Sequence, residues 1–433
     1  MLRTLAGIGL FVLLVPAGSA AQRLSVSDRS ALVAETWSAA RAASATLPRL
    51  RVNWDSALAD GLRSAAAPQS DVHFIGALRT LLARLDDAQA DVLPPPPLRA
   101  RLARPPIVVA SVERRAFVVD YAENDEMRLA RPPRLSEILA VQGVPLEAWV
   151  RDSVLPAYGG ASADTRWDRA VAGMLEGERG TALHLALEDP RGGRRGVSVT
   201  RSVSLSDRWP LEPPPLSVDS LPAGQVVVRF HGFAPDVVTR FDRALPTFAG
   251  IQGMVIDLRD AFGGRVADAD ALLARLDGQP FVSVIRKFRV SRPGWQVLAQ
   301  PESAATWQAL ALDTLPPRRD PAPFTGPIAW ISGSATRGAA EDLLASARGA
   351  GRGVIVGTLT AGSPDEPLVV PLEGGWSVEL SAVRDSVAGG GAVSGVGVAP
   401  DYAVSLTVDD LLAGRDAALE RARAYLATPP KSN

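Results

Sequence analysis

The sequence predicts an α/β core behind a helical N-terminal segment and a β-rich middle segment, and three observations carry that reading. From 226 onward, apolar runs of strand length alternate with runs of helical period, the pattern of parallel strands joined by right-handed crossovers. Between 105 and 203 the apolar runs are short and strand-like, as in Ile107-Val108-Val109-Ala110 and Phe117-Val118-Val119. Ahead of Pro94-Pro95-Pro96-Pro97, apolar residues recur at helical spacing. The expected divisions are a leader over 1–21, a helical segment over 22–100, a β-rich segment over 101–208 and the core over 209–433.

The leader is read from Arg3, the short apolar run 5–15 and the small residues Gly18, Ser19, Ala20 and Ala21. That is the layout of a secretory signal, with cleavage near Ala21 or Gln22, and the alternative is an uncleaved anchor. Ser27 and Asp28 are expected to cap a first helix through Leu32 and Trp37, and Ile75, Leu78, Leu82 and Leu85 mark another. The prolines 94–97 end the helical segment. In the middle segment, 191–195 reads as a Gly/Arg hairpin turn, and 210–215 as a proline-rich linker. The core then runs strand 226–230, helix 236–248, strand 253–258, helix 266–276, strand 328–331, helix 339–347 and strand 354–356. An antiparallel pair about Gly374-Gly375 follows, and Thr407 opens a helical C-terminus.

Composition narrows the functional classes. There is no cysteine, so disulfides and thiolate metal sites are excluded. Net charge is −1, with no basic patch to suit nucleic acid. His73, His184 and His231 lie far apart without metal-ligand spacing, and nothing implies a cofactor. Lysine occurs only as Lys287 and Lys431.

Five blocks in order resemble the C-terminal processing (tail-specific) serine peptidase family. They are Asn53-Trp54-Asp55, Leu85-Asp86-Asp87-Ala88-Gln89, the stretch from Val255-Ile256-Asp257-Leu258-Arg259 to Gly263-Gly264, Thr336-Arg337-Gly338-Ala339-Ala340-Glu341, and Val396-Gly397-Val398-Ala399-Pro400-Asp401. The resemblance implies a crotonase-like α/β spiral core, and it is nearest the branch of tricorn protease and the retinoid-binding repeats. Leu135 to Pro145 separately resembles a PDZ-type module, in which an extended peptide adds to a sheet edge; the alternative is an ordinary β-turn at Gly143.

The resemblance assigns positions that can be checked one by one. The nucleophile position is Gly338, which has no side chain. The base position of the tricorn-like branch is Gln89, and glutamine is no general base near neutral pH. The acid position is Thr358. The lysine route of the other branch is closed, since Thr360-Ala361-Gly362-Ser363 lacks lysine. Gly263, Gly264 and Ala339 are expected to keep the backbone amides of an oxyanion site. Glu341 is expected to complement the helix dipole from the first turn, and Asp257 to pair with Arg259. These readings lead to an exported, catalytically inactive relative that binds extended peptides or protein C-termini. The first alternative is an active serine endopeptidase with a non-standard nucleophile such as Ser334; a weaker one is a binder of apolar small molecules.

Overall fold

The computed structural model describes residues 23–130, 132–205, 207, 213–248, 250–290, 306–310, 314–320, 322–363 and 367–427. The expected leader, Lys431 and residues 210–212 of the expected linker lie outside them.

Three N-terminal helices, α1 (Val26–Ala43), α2 (Trp54–Ala66) and α3 (Asp71–Ala83), pack around Phe74, Leu78 and Leu82. The first begins one residue earlier than the capping residues expected from sequence. Ser25 accepts from the Asp28 N–H, and the Asp28 carboxylate accepts from the Ser25 N–H, so both orphan donors are met. This helical segment is not closed on itself. Trp376, Val378 and Leu380 complete its core, and the short strand Asp91–Leu93 pairs antiparallel with Ser377–Leu380.

The β-rich segment contains a five-stranded antiparallel run of β1 (Ile107–Val112), β2 (Arg115–Tyr121), β3 (Ser136–Val141), β4 (Ala182–Glu188) and β5 (Arg194–Thr200). Helix α4 (Ala163–Gly173) lays Trp167, Ala170 and Val171 against its core. The turn expected at 191–195 falls at 189–193, because in β5 Arg194 and Arg195 already pair with Glu188 and Leu187 of β4. After β2 the chain leads into a short helix, Asp125–Ala130, and Glu126 accepts from the Thr200 N–H at 2.5 Å.

The core sheet follows chain order: β6 (Leu216–Leu221), β7 (Gln225–Phe230), β8 (Gly253–Asp257), β9 (Ile328–Ser332), β10 (Val354–Gly357) and β11 (Tyr402–Ala403). Only β6 is antiparallel to its neighbour. Strands added in one direction through right-handed crossovers place every crossover helix on one face. Accordingly α5 (Val237–Ala244), α6 (Val266–Leu273) and α7 (Ala339–Gly349) share a core with Val228, Ile256 and Trp330. The other face, with Val227, Val255, Ala329 and Ile331, is covered by the C-terminal helix α8 (Ala417–Ala427). Burial on both faces explains why β8 and β9 are apolar without alternation. No helix among the described residues is long and apolar enough to cross a membrane.

Candidate functional site

The turn between β9 and α7 is fastened from both sides. Thr336 is fully buried; its Oγ1 donates to the Leu258 carbonyl at 2.8 Å and accepts from the Gly333 N–H at 2.9 Å. The Arg337 N–H donates to the Ala261 carbonyl, and the Gly338 N–H to the Ser363 carbonyl at 2.9 Å. The turn is thus bound both to the loop after β8 and to the loop after β10.

Gly338 sits at φ +66°, ψ −143°, a region that residues with a Cβ rarely occupy. A Cβ there would meet the Gly263 carbonyl oxygen at 2.8 Å and its nitrogen at 2.9 Å. Gly264 is held just as closely, since a Cβ on it would meet the Phe233 Cβ at 2.2 Å. One expectation is corrected here. The Ala339 N–H, expected to face an open oxyanion site, donates to the Gly263 carbonyl at 3.0 Å. Without a side chain at 338 the Gly263-Gly264 loop closes onto the turn and takes up that amide.

Gln89 reaches the same place from the N-terminal segment. Asp87, 2% exposed, accepts from the Ser381 N–H and hydroxyl, both at 2.8 Å, and from the Gln89 N–H at 2.9 Å. So anchored, the loop directs Gln89 Nε2 to the Ser363 carbonyl at 2.6 Å, the acceptor that Gly338 also uses. The positions expected for nucleophile and base are therefore neighbours joined by one carbonyl. Thr358 stands apart from that pair: its N–H donates to the Ser332 carbonyl at 3.2 Å, and its own carbonyl accepts from Ser332 Oγ at 2.7 Å.

Glu341 lies in the first turn of α7 as expected, and its side chain turns inward. It is fully buried and accepts from the Thr360 hydroxyl and from the Gly362 N–H, the latter at 2.7 Å. Burial pushes its carboxyl up to about 7, against the lowering effect of those bonds. It holds the 360–363 loop against α7. Asp257 and Arg259 pair as expected, and Arg259 also grips Asp416 at 2.7 Å.

Ser334 lies on the sheet side of the turn, where its hydroxyl donates to Asp168 Oδ2 at 2.9 Å across to α4 of the β-rich segment. Burial raises the Asp168 carboxyl above its usual range, and the Ser334 bond opposes the rise. Both residues line a cavity of about 810 Å³ between that segment and the carboxyl ends of β8, β9, β10 and β11. Open α/β sheets place ligands at that end of their strands. Thr358 also lines this cavity, and none of the three histidines does. Asp168 belongs to no recognisable motif, and only the fold brings it to Ser334. Asp87 stood inside a recognised block, but sequence gave no sign that it fixes Gln89.

Residues 225–404 match the model of peptidase family S41. No curated protein matches the chain directly. Among solved structures, mature CPAF superposes with a TM-score of 0.71 at 14% identity, covering 94% of this chain and 99% of that one. Its complex with lactacystin gives 0.69 at 14% identity over 93% and 97%. The photosystem II D1 C-terminal processing protease gives 0.51 at 18% identity over 93% and 98%. At these identities the likeness is one of fold.

Proposed function

The chain belongs to peptidase family S41 through residues 225–404, and on that premise we propose that it is an exported, non-hydrolytic member that binds extended polypeptides. The observation that carries the reading is Gly338, at the nucleophile position, with the Gly263 backbone filling the space of the missing side chain. Catalysis by this family's chemistry needs a nucleophile, a base within hydrogen-bond reach and free amides at the developing oxyanion. Here the base position is an amide side chain bonded to Ser363, and the Ala339 amide is spent on Gly263. The acid position, Thr358, holds a hydroxyl. Polypeptide binding is supported by the family and by a structural relative whose name describes C-terminal processing. A PDZ-like β-rich segment would add an edge for an extended strand. Export rests on the arrangement of Arg3, the apolar run 5–15 and the small residues 18–21.

Labelling the purified chain with a fluorophosphonate, alongside casein cleavage, tests the reading. The expected result is neither label nor cleavage. A specific observation favours one second reading, in which Ser334 attacks with Asp168 as its proton acceptor, since the two are 2.9 Å apart. Labelling abolished by Ser334→Ala would establish that reading. Labelling that survives Ser334→Ala would overturn both.

A further inference from the structure

The cavity at the strand ends is unevenly charged. Of its two guanidinium groups, that of Arg259 is engaged by Asp257 and Asp416, and that of Arg114 pairs with Asp164 at 3.9 Å and lies over the Trp167 ring at 4.8 Å. Facing them are Asp168, which accepts from the neutral Ser334 hydroxyl, and Asp260, which has no hydrogen bond or ion pair among the described residues although the Arg259 charge lies near it. Glu113 adds negative charge at the hairpin that roofs the space, where Asp164 on α4 is offset by Arg114. A carboxylate partly removed from water without a cation is a cost that a cationic ligand would remove.

Trp167 is an independent sign of a missing partner. It is 4% exposed, lines the same cavity, and its Nε1–H has no acceptor among the described residues. A buried indole N–H ordinarily finds one. The cavity thus holds carboxylates with no cation in direct contact, Asp168 and Asp260, and an indole donor without an acceptor. A basic residue within a peptide carries a cation and an acceptor together, as its side chain and its backbone carbonyl.

We propose that this cavity selects polypeptides by a basic side chain, with the cation held by Asp168 and Asp260 and a peptide carbonyl accepting from Trp167. The proposal rests on the peptide-binding reading above and assigns its specificity. A cavity of several hundred cubic ångströms between two segments suits a side chain with its flanking backbone.

Fluorescence polarisation tests it with labelled ten-residue unstructured peptides that differ only at one central position, bearing Arg, Lys, Gln or Glu. N-acetylarginine amide, titrated by calorimetry, serves as a probe without a peptide chain. The expected result is that Arg and Lys peptides bind about tenfold tighter than the Gln peptide, and the Glu peptide weakest. In Asp168→Asn/Asp260→Asn the preference disappears, whereas a remote charge control, Asp152→Asn, keeps it. Equal binding of all four peptides, or a preference unchanged in the double variant, overturns the cation site and leaves peptide binding standing. Binding of N-acetylarginine amide with no binding of any peptide overturns the peptide reading and leaves the cation site standing. Silence in both arms overturns both.

Discussion

Gly338 shows how closely neighbours can pack against a residue without a side chain. Its backbone conformation excludes ordinary residues, and the Gly263 carbonyl stands 2.8 Å from where a Cβ would be. Gly338→Ser is therefore expected to cost about 2 kcal/mol or more of stability, read as a lowered urea midpoint. Gly338→Ser/Gln89→His is expected to stay inactive on casein, because the Ala339 amide remains bonded to Gly263. Recovered cleavage would mean that the Gly263-Gly264 loop yields readily. Asp87 is expected to matter as much for stability. Asp87→Ala leaves the buried Ser381 N–H and hydroxyl without their acceptor, a loss of roughly 2–4 kcal/mol in a denaturant titration. Glu341 gives a pH signature. Its folded carboxyl is raised from 4.5 to about 7, so the folded state holds the proton more tightly than the unfolded one. Its contribution is full below about pH 4.5 and is lost as pH rises through about 7. Glu341→Gln should flatten that part of the stability–pH curve.

Among the elements, α7 joins the sheet to the site. Its apolar face meets the sheet through Leu343 and Leu344, both fully buried. Its first turn is held by an ion pair removed from solvent: Arg286 Nη2 lies 3.1 Å from Asp342 and 2.6 Å from Asp385. Removing the guanidinium would leave two buried carboxylates. Arg286→Ala is expected to cost about 3–5 kcal/mol, whereas at the exposed pair Arg151 and Asp152, Arg151→Ala should change the unfolding midpoint little. Equal effects for the two variants would contradict the assignment of burial as the cause. The same comparison explains why the many arginine–aspartate pairs on this surface say little about stability.

At the scale of the whole molecule, the strand order is what makes a cavity. A sheet that grows in one direction leaves the carboxyl ends of four parallel strands aligned, and the β-rich segment roofs them. Much of this was legible in the chain. The apolar runs of β8 and β9, the glycines at 263, 264 and 338, and the Thr407 cap with Asp410 all sit where local pattern places them, because periodicity and backbone conformation are properties of neighbouring residues. The five ordered blocks pointed to the family fold, and the resemblance placed the expected nucleophile and base positions at Gly338 and Gln89. The sequence could not say that those two would share the Ser363 carbonyl, that Glu341 would be buried rather than exposed, or that Ser334 would meet Asp168. Those pairs are separated by 19 to 274 residues along the chain. By itself, then, the sequence determined the order of elements, the family resemblance and the glycine at 338. Only the tertiary structure decided what closed over the gap and where a charged cavity opened, because such contacts depend on packing between segments that no local pattern encodes.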